Sequence, residues 1–328
     1  MTKTEFNELY RCIDEGAIHL EKQKGITYLE AIAEVGEAIF QEANKTTQHD
    51  ETEQTLLSIL SHIDVESLEK ETVRKAFQMT VLKGMKGAVQ PHHSMTPDAV
   101  SLFASYLINK ITSNEKSAIR ILDLAVGTGN LLTTVLNHSP LKVEASGFEA
   151  DETLLHIAFA NANLQRHTVE LFHQDSLQIA LAPSDIVVTD LPIGYYPKDE
   201  VASTYTLKAE EGHAFIHHLM IEQGIRSINP GGYALFLVPN FLFESDQAEK
   251  LHTYLKEQTT ILALLQLPKT MFKDQQHGKS FLLLQKKGEK TTVPRHALLA
   301  DLPSFDKKEA LADMMKQINN WFAEELKL

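Results

Sequence analysis

The chain has 328 residues, with 31 Lys+Arg against 44 Asp+Glu and a net charge of −13. Its 43% hydrophobic and 23% charged residues are ordinary globular values that exclude general disorder and fibrous repeats. No apolar run approaches the roughly 20 residues of a membrane span, and the single cysteine, Cys12, excludes an internal disulfide framework or a Cys-clustered zinc site.

The charge also argues against a non-specific nucleic-acid coat, which needs many Lys/Arg–phosphate contacts; it leaves room for one local basic surface. The first residues, MTKTEFNELYRCIDEG, hold no apolar signal core, so the expected location is cytoplasmic.

Residues 1–90 carry helical patterns and almost no strand signal. Thr27 followed by Glu30 is a capping-box spacing before YLEAIAEVGEAIF. EQTLLSILSHI and LEKETVRKAFQMTVLKGM also repeat apolar residues at three- and four-residue steps. About four helices packed as a small bundle are expected. Gly84, Gly87 and Pro91 punctuate its end.

Residues 91–328 follow another pattern. Thr96-Pro97-Asp98 reads as an N-cap, a first-turn proline and a first-turn acid, ahead of the helix AVSLFASYLINKI. Short apolar runs then alternate with helical stretches: AIRILDLAV, VEASGFEA, TVELFHQ, DIVVTDL, GYALFLVP, ILALLQLP and SFLLLQKK. This alternation predicts an α/β fold, a Rossmann-like seven-stranded, mostly parallel sheet with helices on both faces. The close spacing of the last two runs suggests an antiparallel excursion at one edge. The tail from Phe305 reads as one amphipathic helix, with Trp321 and Phe322 as packing residues.

The strongest local signal is ILDLAVGTGNLL, residues 121–132. An apolar strand enters a turn in which Gly127 and Gly129 permit a sharp bend and close approach of a ligand. Any tight strand-to-helix turn also favours glycine. The next strand ends in GFEAD, with Glu149 about 20 residues after the turn, where an acid can accept from both ribose hydroxyls of a nucleotide-like ligand. Asp175, in HQDSL, ends the third strand within reach of an adenine amine, and TDLPIGYYP ends the fourth. Leu132 stands where a dinucleotide fingerprint has its third glycine, so a dinucleotide fits less well. The run from Asp123 through Ala125 and Gly127 to Gly129 resembles the first motif of class I S-adenosylmethionine-dependent methyltransferases. That resemblance implies S-adenosylmethionine as cofactor, with the methionine part at the turn, the ribose on Glu149 and the adenine on Asp175.

Residues 92–288 as a whole resemble the adenine-specific DNA methyltransferases, above all the modification subunit of type I restriction systems. SMTPDAV (94–100) is similar to that family's T-P-x-x-V helix start over the cofactor, which brings in Thr96. ILDLAVGTGNLL is similar to D-P-A-C-G-S-G-G-F-L, and GFEADETLLHIAFANANLQ to its G-x-E…A-x-x-N-x-x-L. Asp175-Ser176-Leu177 matches D-S-L. NPGGYALFLVPNFLF (229–243), then LPKTMF (267–272) and SFLLLQKK, follow in the family's order. The helical N-terminal region and DLPIGYYP together resemble the smaller, bacterial YtxK-like branch.

The catalytic loop departs from the family's N-P-P-F/Y or D-P-P-Y. Here it reads Asp190-Leu191-Pro192-Ile193-Gly194-Tyr195-Tyr196-Pro197. The resemblance implies that a side-chain oxygen and a backbone carbonyl of the turn grip the acceptor amine and aim its lone pair at the methyl group, while an aromatic ring stacks on the flipped-out base. Asp190 and Pro192 still supply an acceptor and a turn. Ile193 holds the stacking position and cannot stack, so the role passes to Tyr195 or Tyr196 if Gly194 bends the loop, or the loop keeps its shape without base methylation. The implied activity is transfer to the exocyclic amine of adenine in DNA. Transfer to RNA or a protein glutamine amide, and a non-enzymatic cofactor-binding scaffold, are the other readings. The isomer of the bond before Pro192 stays open.

Fifteen histidines prompt a metal test. His213 and His217 would share a helix face, but no glutamate follows His213 as in H-E-x-x-H and no third ligand is evident. No metal site is expected, and these are read as structural or surface histidines. His92 and His93 read as solvated loop residues. Lys269, Lys273, Lys279, Lys286 and Lys287 are the candidate DNA-phosphate contacts, or else a solvated rim. DNA, a separate specificity subunit or a second copy of the chain are the expected partners, and a membrane is not.

Overall fold

The computed structural model describes residues 3–43, 51–61, 63–64, 67–86, 95–272, 274, 277–289 and 291–328. Gly87, Pro91, His92, His93, Ser94 and Lys273, named above, lie outside these residues. The chain forms two compact units. One comprises Met1–Ser101, Val126–Ser139 and Gly147–His173; the other comprises Leu102–Ala125, Pro140–Ser146 and Gln174–Leu328.

The first unit begins with the expected helices: α1 (Lys3–Lys24), α2 (Tyr28–Ala43), α3 (Glu51–Leu60) and α4 (Lys70–Met85). The capping box before α2 forms. The Thr27 amide donates to Glu30 Oε2 at 2.7 Å, and the Glu30 amide donates back to Thr27 Oγ1 at 3.3 Å. Leu9, Ile13, Leu20, Ile32, Val35, Val73 and Phe77 build a core that also takes Ile157, Ala160 and Leu164. The last three belong to α7 (Glu152–Leu164), which starts on an Asp151 cap, its side chain accepting from the Leu154 amide.

Helix α5 (Asp98–Ile111) starts one residue later than the Thr-Pro-Asp spacing predicts: Asp98 is its first residue, and the Pro97 carbonyl accepts from the Val100 and Ser101 amides. Strands β1 (Ile119–Asp123), β2 (Val143–Glu149), β3 (Val169–His173), β4 (Ser184–Asp190), β5 (Ile228–Pro239), β6 (Thr259–Gln266), β7 (Lys279–Lys286) and β8 (Leu298–Asp301) form one sheet in the order β3-β2-β1-β4-β5-β7-β6-β8. Helices α6 (Asn130–His138), α7, α8 (Asp199–Ala202), α9 (Ile216–Ser227), α10 (Ala248–Gln258) and α11 (Lys308–Trp321) intervene or follow.

The predicted mostly parallel α/β fold is present, with two corrections in the sheet. It has eight strands, not seven: β8 is a four-residue strand, half-exposed in alternation, parallel to β6. The antiparallel strand is not at an edge either. β7 lies between β5 and β6, antiparallel to both. Its six central residues are all buried, as an interior strand requires. The tail also differs from one continuous helix: α11 ends at Trp321, and Phe322–Leu326 form a π-helical turn. Phe322 is buried, and the Trp321 indole donates to the His296 carbonyl.

Candidate functional site

In the first unit, the glycine turn and the end of β2 form one hydrogen-bonded structure. Gly127 and Gly129 both have positive φ, 56° and 79°. A Cβ at Gly129 would sit 3.3 Å from the backbone of Ala158, so the turn packs where only glycine fits without displacement. A Cβ at Gly127 would meet nothing within 4 Å.

Glu149 is seated on this turn. Its Oε2 accepts the Gly127 amide at 2.8 Å, and its Oε1 accepts the Ala150 and Asp151 amides at 2.9 and 3.0 Å. A carboxylate offers about four lone-pair positions. Three are therefore in use, and Glu149 as arranged takes one more donor before an amide must be released. Thr128 Oγ1, in the turn, is buried with no hydrogen-bond partner. Thr96 is buried, and its carbonyl accepts from Asn130 Nδ2 at 2.8 Å.

The second unit holds the remaining predicted residues. Asp123, the last residue of β1, is buried, and its Oδ1 accepts the Ala125 amide at 3.2 Å. Asp175 caps a short 3₁₀ turn, Ser176–Gln178, accepting the Leu177 amide on Oδ1 at 3.0 Å. Its Oδ2 accepts from the Tyr196 hydroxyl at 2.7 Å and from Gln178 Nε2 at 2.5 Å, and Lys198 Nζ lies 3.7 Å away. Ser176 Oγ is buried and has no partner.

Tyr196, expected as a substrate contact, is instead buried, with its hydroxyl committed to Asp175. Burial first, then the Asp175 carboxylate, raise its pKa, so it remains a neutral donor. The structure thus joins Asp175 and Tyr196, a link that sequence reasoning missed.

Asp190 ends β4. Leu191 continues from it, its amide donating to the Leu237 carbonyl of β5 at 3.1 Å. Pro192 follows through a trans peptide bond. Gly194 (φ 139°) turns the chain, and its carbonyl accepts from the Ile216 amide. Tyr195 is 62% exposed and lies flat on Phe215, ring centroids 4.8 Å apart and planes 15° apart. Phe215 therefore gives the exposed ring a partner that periodicity alone did not reveal. Lys279, first residue of β7, donates to Asp190 Oδ1.

The lysines do not form one edge. Lys279 and Lys286 stand at opposite ends of β7, seven residues or about 24 Å apart at strand rise. Lys286 Nζ donates to the Ile228 carbonyl at 2.7 Å, and Lys287 Nζ to the Lys256 carbonyl at 2.7 Å. Their proximity in sequence does not survive the strand's length.

The histidine reading also changes in detail. Helix α9 begins at Ile216, so His213 does not share its face; its ring bonds to Asp199 Oδ1 at 2.8 Å. His217 and His218 are fully buried. Among the described residues no group of three His, Cys, Asp or Glu is placed to hold a metal ion, and no helix is long and apolar enough to cross a membrane.

Residues 7–85 match the YtxK N-terminal helical domain, and residues 90–325 match the N-6 DNA methylase family. The chain is 49% identical to YtxK of Bacillus subtilis (strain 168), over 99% of this chain and 100% of that one. Among solved structures, it is similar to a candidate class I S-adenosylmethionine-dependent methyltransferase from Listeria monocytogenes (40% identity, TM-score 0.90, covering 98% of this chain and 100% of that one). It shares its fold with the type I restriction-modification methyltransferase subunit of Streptococcus thermophilus (15% identity, TM-score 0.66, 96% of this chain and 74% of that one). The chain belongs to the N-6 DNA methylase family, in the branch that carries a YtxK-type helical domain at its N-terminus.

Proposed function

We propose that the protein is an S-adenosylmethionine-dependent methyltransferase acting on the exocyclic amine of adenine in DNA. The observation that carries the reading is Glu149 seated on the Gly127 amide, a carboxylate fixed against a glycine turn, in a chain of the N-6 DNA methylase family. The residues present suit such a cofactor: the space beside Gly127 is open, and Thr128 and Ser176 each bury a hydroxyl that still lacks a partner.

Glu149 would accept from the ribose and Asp175 from the adenine amine. Thr96, Asp123, Ala125, Gly127, Gly129 and Ser176 would complete the cofactor contacts. Bound there, the cofactor would supply a methyl group on a sulfonium, already a good leaving group. Asp190, with the turn at Pro192, would accept hydrogens of the acceptor amine and orient its lone pair, so the chain's contribution is proximity and alignment. Tyr195, flat on Phe215, would take the stacking role that Ile193 cannot.

A second reading, a cofactor-binding scaffold without transfer, is favoured by one contact: Lys279 already occupies an oxygen of Asp190. Incubation with cofactor labelled in the methyl group, together with DNA, RNA and protein extract, separates the readings. Label in DNA adenine supports the proposal. Label in RNA or protein reassigns the acceptor, and cofactor binding without label leaves the scaffold.

A further inference from the structure

Arg74 has no exposed surface, yet it lies on α4 among the N-terminal helices, beside the buried apolar side chains Val73, Ala76 and Phe77. Burying a guanidinium is tolerable only when its donors are matched. Here the match is unusually complete. Nε and Nη2 donate to the two oxygens of Glu71, each at 2.8 Å; Nη2 also donates to Asp98 Oδ1 at 2.5 Å, and Nη1 to Asn130 Oδ1 at 2.9 Å. Glu71 alone would satisfy the ion pair. The other two bonds reach Asp98, first residue of α5, and Asn130, first residue of α6 immediately after Gly129. Asn130 in turn donates to the Thr96 carbonyl at 2.8 Å.

Asn130 is also where the turn departs from the pattern D-P-A-C-G-S-G-G-F-L, which has glycine at that place. The side chain that Arg74 grips thus stands where that pattern has glycine, and the helix that supplies the arginine belongs to the YtxK-type N-terminal domain. We propose that Arg74 is a positioning residue: through Asn130 it sets the glycine turn, and through Asp98 it sets the start of α5, so that the N-terminal helices form part of the cofactor-binding machinery. This rests on the S-adenosylmethionine reading of the turn. A turn of two positive-φ glycines is costly to order when a ligand arrives, and a buried tether reduces that cost in advance.

The test uses the full chain. Asn130→Ala removes the amide without adding backbone freedom and leaves Arg74 paired with both carboxylates. Asn130→Asp keeps an acceptor for Arg74 and loses the Nδ2 donor shared by the Thr96 carbonyl and Ser101 Oγ. Calorimetry with S-adenosylmethionine, thermal unfolding and amide hydrogen exchange at residues 127–131 are measured on each. The expected result for Asn130→Ala is about tenfold weaker binding, the worth of one charge-assisted hydrogen bond, with faster exchange in the turn. Asn130→Asp should remain within about threefold of the parent, since its Arg74 bond survives. Equal behaviour of the two variants, or an alanine variant that binds and exchanges like the parent, overturns the proposal. A parent chain that binds no S-adenosylmethionine overturns the cofactor reading itself, and the proposal with it.

Discussion

Lys279 donates to Asp190: the ammonium at the start of β7 sits on the carboxylate at the end of β4, with side chains only 19% and 14% exposed. Strand β5 lies between them, pairing Asp190 with Leu237 and Lys279 with Pro239. The antiparallel insertion of β7 is what brings this lysine to the end of β4. The residue proposed to grip the acceptor amine therefore carries a resident donor, and any acceptor must share the carboxylate with it or displace it.

This geometry sets what Asp190 substitutions should do. Asp190→Asn keeps a carbonyl oxygen for the amine, the alternative the family motif also uses, and gives up only the ion pair with Lys279. Transfer should persist within about tenfold. Asp190→Ala removes the acceptor altogether and should reduce labelled methyl transfer by about 100-fold or more, the scale of losing groups that align a reaction. Equal loss in both variants would mean that the ion pair, rather than the acceptor oxygen, is what transfer needs.

Lys279→Met should lower stability by about 1–3 kcal/mol, because a largely buried carboxylate loses its ion pair with the ammonium while some solvent still reaches it. Chemical denaturation at neutral pH measures it. A midpoint unchanged from the parent would show that Asp190 is satisfied without the lysine.

Glu149→Ala should weaken S-adenosylmethionine binding by at least about tenfold in calorimetry. The loss has two sources: a ribose contact disappears, and the Gly127, Ala150 and Asp151 amides lose their common acceptor, so the turn is no longer held for the ligand. Glu149→Gln separates them. It keeps an acceptor oxygen but not two, so intermediate affinity is expected; affinity equal to the parent's would remove Glu149 from the ribose contact.

Much of this was legible before any coordinates. The capping box at Thr27, a helix start within one residue of Pro97 and the glycine turn are local in sequence, and each forms where its residue types place it. Asp123, Glu149 and Asp190 end their strands as the apolar runs imply, whereas Asp175 lies two residues beyond β3 as the cap of a 3₁₀ turn. What escaped was non-local. Nothing in the sequence around Asp175 signals that Tyr196, 21 residues on, will donate to it. The lysines looked like one cluster because sequence proximity was read as spatial proximity, and an eight-residue strand separates its ends. Nothing in the sequence around Arg74 signals its burial, because its partners Asp98 and Asn130 are 24 and 56 residues away.

Tyr196→Phe tests the missed link. It deletes one hydrogen bond and leaves Asp175 bonded to Leu177 and Gln178, so a stability loss of about 1–2 kcal/mol is expected, with no change in oligomeric behaviour required. If Asp175 holds the cofactor's adenine, cofactor affinity should fall by a few-fold in the same variant. Affinity that is unchanged while stability drops would confine the pair to a structural role.

Acid should destabilise the fold through His217. Its ring is fully buried, neither nitrogen has a hydrogen-bond partner, and Phe215, His218 and Phe241 surround it. Burial first, then the charges of His218 and Lys279, push its pKa down to about 3 from an ordinary 6.5. Between those values the unfolded chain binds a proton that the folded chain excludes, so stability rises with pH through this window and is lost as pH falls from about 6.5 toward 3, by at most about 1.4 kcal/mol per pH unit for this one group. His218, pushed down to about 4 mainly by burial, adds in the same direction. His217→Phe should flatten the acid limb of a stability-against-pH curve and cost little at pH 8, since no hydrogen bond is removed and the new ring meets other rings. An unaltered acid limb in that variant would place the acid sensitivity elsewhere, whereas a large loss at pH 8 would show that the imidazole makes a polar contact the fold depends on.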